Sequence, residues 1–415
     1  MKKNTIIITV LLTCVAIFLL IAKKNRHTSH MTQDTRLFFW TLQMSDFTPY
    51  MNGVIKRFEQ QNPNVKIKWI DVPFSEGEKR TLAAILSDNP PDLINLNPDF
   101  SAILAQKGAL EKIDANSLTQ FNKSIINSLK YNNELYAIPW YATSAITIYN
   151  KALYKKAGYV TPPETYKKLG EIAQIIKSKT GAYAFMPTIT ENDTMLKILN
   201  KYGINSPENI NSQRSVYIFE YYRDLYKKNL IPKESITQTQ REALEKYMSG
   251  QIVFFQSGAN FLNMIKENAP SIYKNTDVTK QIVGSLEQND FSLMNLVIPL
   301  KSKKKQQALD FALFLTNEDN QLELAKLTNV IATNKNTLKD DFYTKYDKND
   351  LIAKARVISA NQLNRIQPVL RQQKGQKEIN LLINTAVQEI LLNDADIQQT
   401  LDEVSKKWKD FQMNR

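Results

Sequence analysis

The chain has 415 residues, 43% of them apolar, which is enough for the cores of two ordinary domains. Part of its formal charge of +13 comes from Lys2, Lys3, Lys23, Lys24 and Arg26 at the N-terminus; the remaining +8 is interspersed with acids, which is typical of a solvated surface rather than of a nucleic-acid partner. The only cysteine is Cys14 and the only histidines are His27 and His30, so the later chain lacks Cys/His zinc ligands, disulfides and histidine-assisted nucleophiles. We predict no metal site, no cofactor and no enzyme activity.

The N-terminus is strongly apolar. Residues 5–22 carry no charge, are preceded by two lysines and are followed by a polar linker at 23–35. This length predicts an N-terminal apolar helix that acts as a signal peptide or a membrane anchor. No small-x-small cleavage site precedes Lys23, so we favour an uncleaved anchor, with lipidation at Cys14 as the alternative. The basic residues after the segment oppose an outward-facing body under the positive-inside tendency.

The part of the chain that follows the linker alternates between strand and helix patterns. Strands are predicted at 37–41, 65–70 and 92–96, and helices at 47–61, 78–86 and 99–107, with Gly108 ending the last helix. Such alternation favours an α/β fold with a mostly parallel sheet. Ligands of such sheets bind beyond the carboxyl ends of the strands, which here are the loops 40–46 and 97–100.

Two segments that follow a β-rich stretch ending at residue 150 are predicted to be mainly helical. Residues 163–227 and 377–411 have helical periodicity, and the second segment ends with Trp408 and Phe411. An aromatic cluster in the first segment is interpreted as core packing rather than base stacking, because no basic residues alternate with it. Its members are Tyr217, Phe219, Tyr221, Tyr222 and Tyr226.

Several short motifs occur in a fixed order. They are residues 58–63 (FEQQNP), 91–93 (PDL), 134–139 (ELYAIP) with 148–151 (IYNK) and 153–158 (LYKKAG), 248–254 (MSGQIVF), and 296–299 (LVIP) with 308–316 (ALDFALFLT). In this order and spacing the chain resembles the extracellular solute-binding proteins of the maltose-binding type, which feed ABC importers. The resemblance covers nearly all of residues 36–411.

This resemblance implies a two-lobed periplasmic-binding-protein fold of type II, with the solute bound between the lobes. It places lobe 1 at 36–143 and 296–330 and lobe 2 at 144–295 and 331–415. The hinge is crossed three times, near residues 141–145, 293–296 and 328–334. The expected protein is a monomer outside the cytoplasmic membrane that captures a sugar or sugar-like solute and delivers it to permease subunits of the transporter.

The family pattern also suggests candidate ligand contacts. Asp99 stands at one of the family's ligand-bonding positions, whereas the family's two tryptophans are replaced by Leu96 and Asn260, and its hinge carboxylate by Thr143. The candidate set is Trp40, Asn97, Asp99, Trp140, Tyr141, Gln256, Ser257, Phe261 and Asn295. Each also has a structural alternative: Trp40 and Trp140 as packing residues, and Asn97 and Asp99 as residues that begin a helix.

Three other functions remain open at this stage. Thr143, Ser144, Ser257 and Arg365 would suit a phosphorylated polyol such as glycerol-3-phosphate. A polysaccharide-cleaving enzyme would need a carboxylate pair near the cleft loops, and none stands out. The loss of the family's tryptophans is also compatible with a membrane-anchored scaffold that no longer binds solute.

Overall fold

The computed structural model describes residues 35–42, 44–287, 289–328, 330–363 and 375–413. The predicted apolar segment with Cys14, and residues 23–34 of the predicted linker, lie outside these ranges. Within them, no helix combines the length and apolarity that a bilayer crossing requires.

Eleven strands are described. They are β1 (Thr35–Leu42), β2 (Val65–Val72), β3 (Leu93–Leu96), β4 (Lys130–Tyr131), β5 (Glu134–Leu135), β6 (Ile138–Asn150), β7 (Tyr183–Phe185), β8 (Ile252–Gly258), β9 (Thr276–Thr279), β10 (Phe291–Val297) and β11 (Ile331–Ala332).

The α-helices of the described ranges are distributed between the strands and the C-terminal region. They are α1 (Thr48–Gln61), α2 (Phe74–Leu86), α3 (Pro98–Gln106), α4 (Lys123–Ser128), α5 (Lys151–Lys156), α6 (Tyr166–Thr180), α7 (Thr194–Asn200), α8 (Gln213–Lys227), α9 (Gln240–Met248), α10 (Phe261–Asn268), α11 (Pro270–Lys274), α12 (Lys305–Leu315), α13 (Glu318–Thr328), α14 (Asp341–Thr344), α15 (Leu351–Gln362), α16 (Gln376–Leu392) and α17 (Ile397–Met413). The strands and helices predicted up to residue 107 are confirmed.

The sheet is mixed. Its order is β2-β1-β3-β10-β6-β8-β7, and β9 and β11 also pair with β6. The pairs β1–β2, β1–β3 and β7–β8 are parallel, whereas β10 is antiparallel to β3 and β6, and β6 is antiparallel to β8. The prediction of a mostly parallel sheet is therefore wrong for its centre, because it rested on the N-terminal strand–helix alternation alone.

β6 is shared by two halves of the molecule. Its first part, up to Ser144, pairs with β10 and β11, and from Ala145 onward it pairs with β8 and β9. The change of partners between adjacent residues means that one continuous strand joins two differently composed parts of the sheet.

Two separate hydrophobic regions flank this change of partners. The first contains Phe39, Trp140, Phe311 and Tyr343, and thus includes residues after β11. The second is built from residues of α6, α8, β8, α16 and α17, with a smaller cluster under α9 and α10. The chain therefore forms the two lobes expected of its fold class, which we call the first and second lobes.

Local sequence signals account for the helix that borders the site. Asn97 precedes α3 and accepts a hydrogen bond from the Phe100 backbone at 2.8 Å, and Pro98 occupies the first turn. Gly108 follows the helix with φ of +66°, a conformation that glycine adopts without strain. The end of β3 and the start of α3 are consequently held as a tight, well-defined corner.

Candidate functional site

A large cavity opens between the two lobes. Its volume is about 760 Å³, within the range of small-molecule sites. Its walls include the corner between β3 and α3, the part of β6 where the partners change, and the last residues of β8. Loops far apart in sequence therefore converge on one crevice.

Four of the predicted ligand contacts line this cavity. Asn97 and Asp99 come from the first lobe, and Gln256 and Ser257 come from the second. The Asn97 side chain is engaged as the helix cap, and Asp99 lies in the first turn of α3. Whether these residues contact a solute stays a prediction.

Gln256 is held firmly by its neighbours. Its Nε2 donates to the Tyr166 hydroxyl at 3.2 Å, and its Oε1 accepts from the Ile282 backbone at 3.1 Å. Its carbonyl oxygen also accepts from the Gln240 side chain at 2.6 Å. The wall of the second lobe is thus a preorganised polar surface, which limits the entropy lost when a ligand binds.

The other five predicted contacts do not line the cavity. Trp140 and Asn295 have no exposed surface, and Asn295 donates to the Ser101 hydroxyl at 2.8 Å. Trp40 lies beneath the Arg80 guanidinium, Tyr141 packs against Phe47, and Phe261 packs against Phe255.

Trp140, one of the predicted ligand contacts, is a packing residue of the first core. Its ring lies edge-on to Phe39, with centroids 5.9 Å apart, because successive residues of β6 face opposite sides of the sheet and Trp140 faces the core. Aromatic rings do line the cavity, but they come from other residues. These are Tyr166, Phe185, Tyr222, Phe254, Phe255 and Phe291.

The most buried charge in the cavity wall is Lys201, which sequence reasoning missed. It is 4% exposed; its Nζ donates to the Tyr166 hydroxyl at 3.0 Å and pairs with Asp290 at 2.5 Å. Burial lowers the pKa of Lys201, but the interactions with Tyr166 and Asp290 outweigh it and the net pKa is raised. Lys201 therefore stays charged. In the sequence, the one signal that distinguishes it from the other lysines is its position directly after the apolar residues of α7.

The cavity does not carry the charge expected of an anion site. Among the described residues its lining includes two lysines, Lys197 and Lys201, and three aspartates, Asp99, Asp193 and Asp290. Thr143, Ser144 and Ser257 also line it, but Arg365, the predicted phosphate partner, lies outside the described residues. In the same described ranges, no group of three His, Cys, Asp or Glu side chains has a geometry that would hold a metal ion.

Two buried glutamines, which we call the hinge amides, join the segments that pass behind the cavity. Gln362 donates to the Ser144 hydroxyl at 2.9 Å and to the Ala145 carbonyl at 2.8 Å, and accepts from the Gln281 backbone at 2.8 Å. Gln281 exchanges side-chain hydrogen bonds with the backbone of Asp290, at 2.8 and 3.1 Å. The pair thereby links β6, the entry to β10 and the end of α15.

Comparisons with known proteins agree with this architecture. A family model described as "Bacterial extracellular solute-binding protein" matches residues 43–322. A crystal structure of a "putative oligosaccharide periplasmic-binding protein" from Synechococcus sp. MITs9220 is 29% identical, with a TM-score of 0.80, and covers 91% of this chain and 99% of that one.

Two further similarities concern proteins named for sugars. The sugar-binding protein MalE of Xanthomonas citri superposes with a TM-score of 0.78 at 19% identity, covering 92% of this chain and 98% of that one. The diacetylchitobiose binding protein DasA of Streptomyces coelicolor is 23% identical over 327 residues, which are 73% of this chain and 74% of that protein.

Proposed function

Because the chain belongs to the bacterial extracellular solute-binding protein family, we propose that it captures a neutral sugar or oligosaccharide in the interlobe cavity and delivers it to an ABC importer. The family and its structural neighbours bind solutes without catalysis, so the chain is a transport protein and not an enzyme. The observation that carries the proposal is the cavity itself, where amide, carboxylate and hydroxyl groups of both lobes face aromatic rings. Polar contacts for hydroxyl groups combined with aromatic surface for C–H faces suit a sugar.

The phosphorylated-polyol alternative gains no support from the cavity. Three aspartates against two lysines leave no net positive charge among the described lining residues, whereas phosphate sites use several cationic donors. The similar proteins named above for their ligands are a sugar-binding protein and a diacetylchitobiose binding protein. A neutral ligand is therefore the proposal that both the charges and the relatives favour.

Delivery would depend on closure of the lobes around the solute. We propose that the chain passes between the lobes at Ser144–Ala145 of β6, just before Phe291 of β10, and along α15, which contributes Ala355 to the smaller cluster of the second lobe and Ala360 to the first core. The partner change in β6 and the position of Tyr343 in the first core support these crossings. They differ from the sequence prediction chiefly by placing residues 331–343 with the first lobe.

The remaining expectations concern location and partners. Family membership implies an exported protein. We propose that residues 5–22 or a lipid on Cys14 keep it at the outer face of the cytoplasmic membrane, where it works as a monomer and its partners are permease subunits.

The function is tested by thermal unfolding of purified residues 31–415 against maltose, cellobiose, diacetylchitobiose, mannitol and glycerol-3-phosphate. A ligand at about 100 times its Kd stabilises the native state by about 2.7 kcal/mol, which raises the Tm measurably. We expect a neutral sugar to give the largest shift. A shift with glycerol-3-phosphate alone would refute the proposal.

Asp99→Ala should then weaken sugar binding by about 1–3 kcal/mol, because a carboxylate that bonds to hydroxyls is lost from the cavity. Asp88→Ala is the matched control, because its side chain is 96% exposed on the same lobe and pairs with Lys301 at the surface. Equal affinities of the two variants would argue against a role for Asp99.

A further inference from the structure

Lys201 is anchored from several sides in the second lobe. Besides its bonds to Tyr166 and Asp290, its backbone carbonyl accepts from Leu286 at 3.1 Å. A Cβ atom at Gly284 would lie 2.6 Å from this carbonyl, so only glycine permits the close approach of the two segments. The ammonium is therefore fixed in place by backbone and side-chain contacts together.

The core of the lobe does not need such a charge. Burying an ammonium is costly unless it is paired, and an apolar side chain of similar size would fill the same space without this cost. Lys201 and Asp290 instead face the cavity, with the Asp290 side chain still 45% exposed. A paired, rigid lysine at a cavity wall is better explained by ligand recognition than by stability.

Hydrogen-bonding capacity remains at this wall. An ammonium has three N–H donors, and the described residues provide Lys201 with two acceptors, Tyr166 and Asp290. The hydroxyl of Tyr222, whose side chain also lines the cavity, has no hydrogen-bond partner among the described residues although it is fully buried. Buried polar groups are usually satisfied, so the Tyr222 hydroxyl and the third Lys201 N–H leave hydrogen-bonding capacity in the lining of the cavity.

We propose that Lys201 and Asp290 form a charge-balanced subsite for two adjacent hydroxyl groups of a neutral sugar ring. One hydroxyl oxygen accepts from the Lys201 ammonium, and its neighbour donates to the Asp290 carboxylate. Tyr222 binds a further polar group of the same ring. The inference rests on the proposed sugar-binding function and adds a specificity to it. Uronic acids are excluded, because Asp290 neutralises Lys201, which is the one buried cation among the described lining residues.

The test measures binding of the neutral sugar selected above, and of its uronic-acid counterpart, by titration calorimetry. Lys201→Met should weaken binding of the neutral sugar by about 10- to 100-fold, since a charged donor is lost. Asp290→Asn should weaken it similarly, and it should raise the affinity ratio of acidic to neutral sugar by about tenfold, because Lys201 then keeps an unneutralised charge.

Lys228→Met is the matched control. Lys228 belongs to the same lobe but lies outside the cavity lining, and its side chain is 62% exposed and pairs with Asp224. Its removal should change the affinity by less than about threefold, as is usual for exposed ion pairs. The ratio of acidic to neutral sugar should also stay unchanged in this variant.

Circular dichroism of each variant without sugar checks that the variant is folded. If Lys201→Met is not folded, the affinities of Asp290→Asn and Tyr222→Phe for the neutral sugar test the subsite instead. A wild-type protein that binds sugar, with folded variants that keep both affinity and selectivity, would overturn this inference alone. A wild-type protein that binds no sugar of the panel would overturn the proposed function and this subsite with it.

Discussion

The hinge amides give a direct test of how the two lobes are held together. Replacing Gln362 by methionine keeps the length of the side chain and removes its three hydrogen bonds, to Ser144, Ala145 and Gln281. Each such bond contributes about 0.5–1.5 kcal/mol, and a buried donor that loses its partner costs about 1–3 kcal/mol. The Gln281 backbone N–H is left without a partner, at about 1–3 kcal/mol, and the two bonds to Ser144 and Ala145 are lost at about 0.5–1.5 kcal/mol each, so we expect a total loss of about 2–6 kcal/mol.

The assay is urea unfolding of Gln362→Met followed by circular dichroism, with the free energy of unfolding taken from the midpoint and slope. Gln306→Met is the control, because its amide donates to Asp310 on the exposed surface of α12. The control should change stability by less than about 0.5 kcal/mol, as is usual for surface substitutions. If Gln362→Met is as stable as this control, the reasoning that these bonds stabilise the hinge is refuted.

Other predictions follow from burial, ionisation and the N-terminal segment. Trp408→Ala should destabilise the chain by about 3–5 kcal/mol, measured by the same unfolding assay, because Trp408 is fully buried in the second core. Burial raises the pKa of Tyr154 and Tyr202 to about 12. Unfolded tyrosine ionises near pH 10, so the free energy of unfolding should fall as pH rises from about 10 to 12. In the folded protein the phenolate absorbance of these two tyrosines should appear only near pH 12. Ionisation of every tyrosine near pH 10 without unfolding would contradict this. Full-length protein should sediment with membranes, and deletion of residues 5–22 should make it soluble. If a lipid on Cys14 contributes to the anchor, Cys14→Ser should shift part of the protein from the membrane pellet to the soluble fraction.

Local patterns predicted the first lobe well. In α1 the spacing of Met51, Val54 and Phe58 places them on one face, and all three are buried, while Asn62 ends the helix before a proline. That Asn97 and Asp99 begin a helix was one of two interpretations that the sequence left open, and the structure places both residues at the start of α3. These signals lie close together along the chain, so a single sequence contains them.

Long-range placement was beyond such patterns. Trp140 was predicted at the cleft because it lies near the hinge, but which face of β6 meets the core depends on its pairing with β10, which follows much later in the chain. Lys201 is one of many lysines, and only the fold brings it to Asp290. β7 was missed because three residues inside a helical region carry too short a pattern.

The position of β10 in the middle of the sheet has a consequence for how the chain acquires its structure. β10 lies between β3 and β6, although the whole of α5 to α11 separates it from both of them in sequence. Until residues 291–297 arrive, β3 and β6 each present an open edge with unpaired backbone groups, which favours association with other chains. A fragment that stops before Phe291 should therefore aggregate rather than fold. The first lobe begins near the N-terminus, yet it is among the later parts of the molecule to become complete.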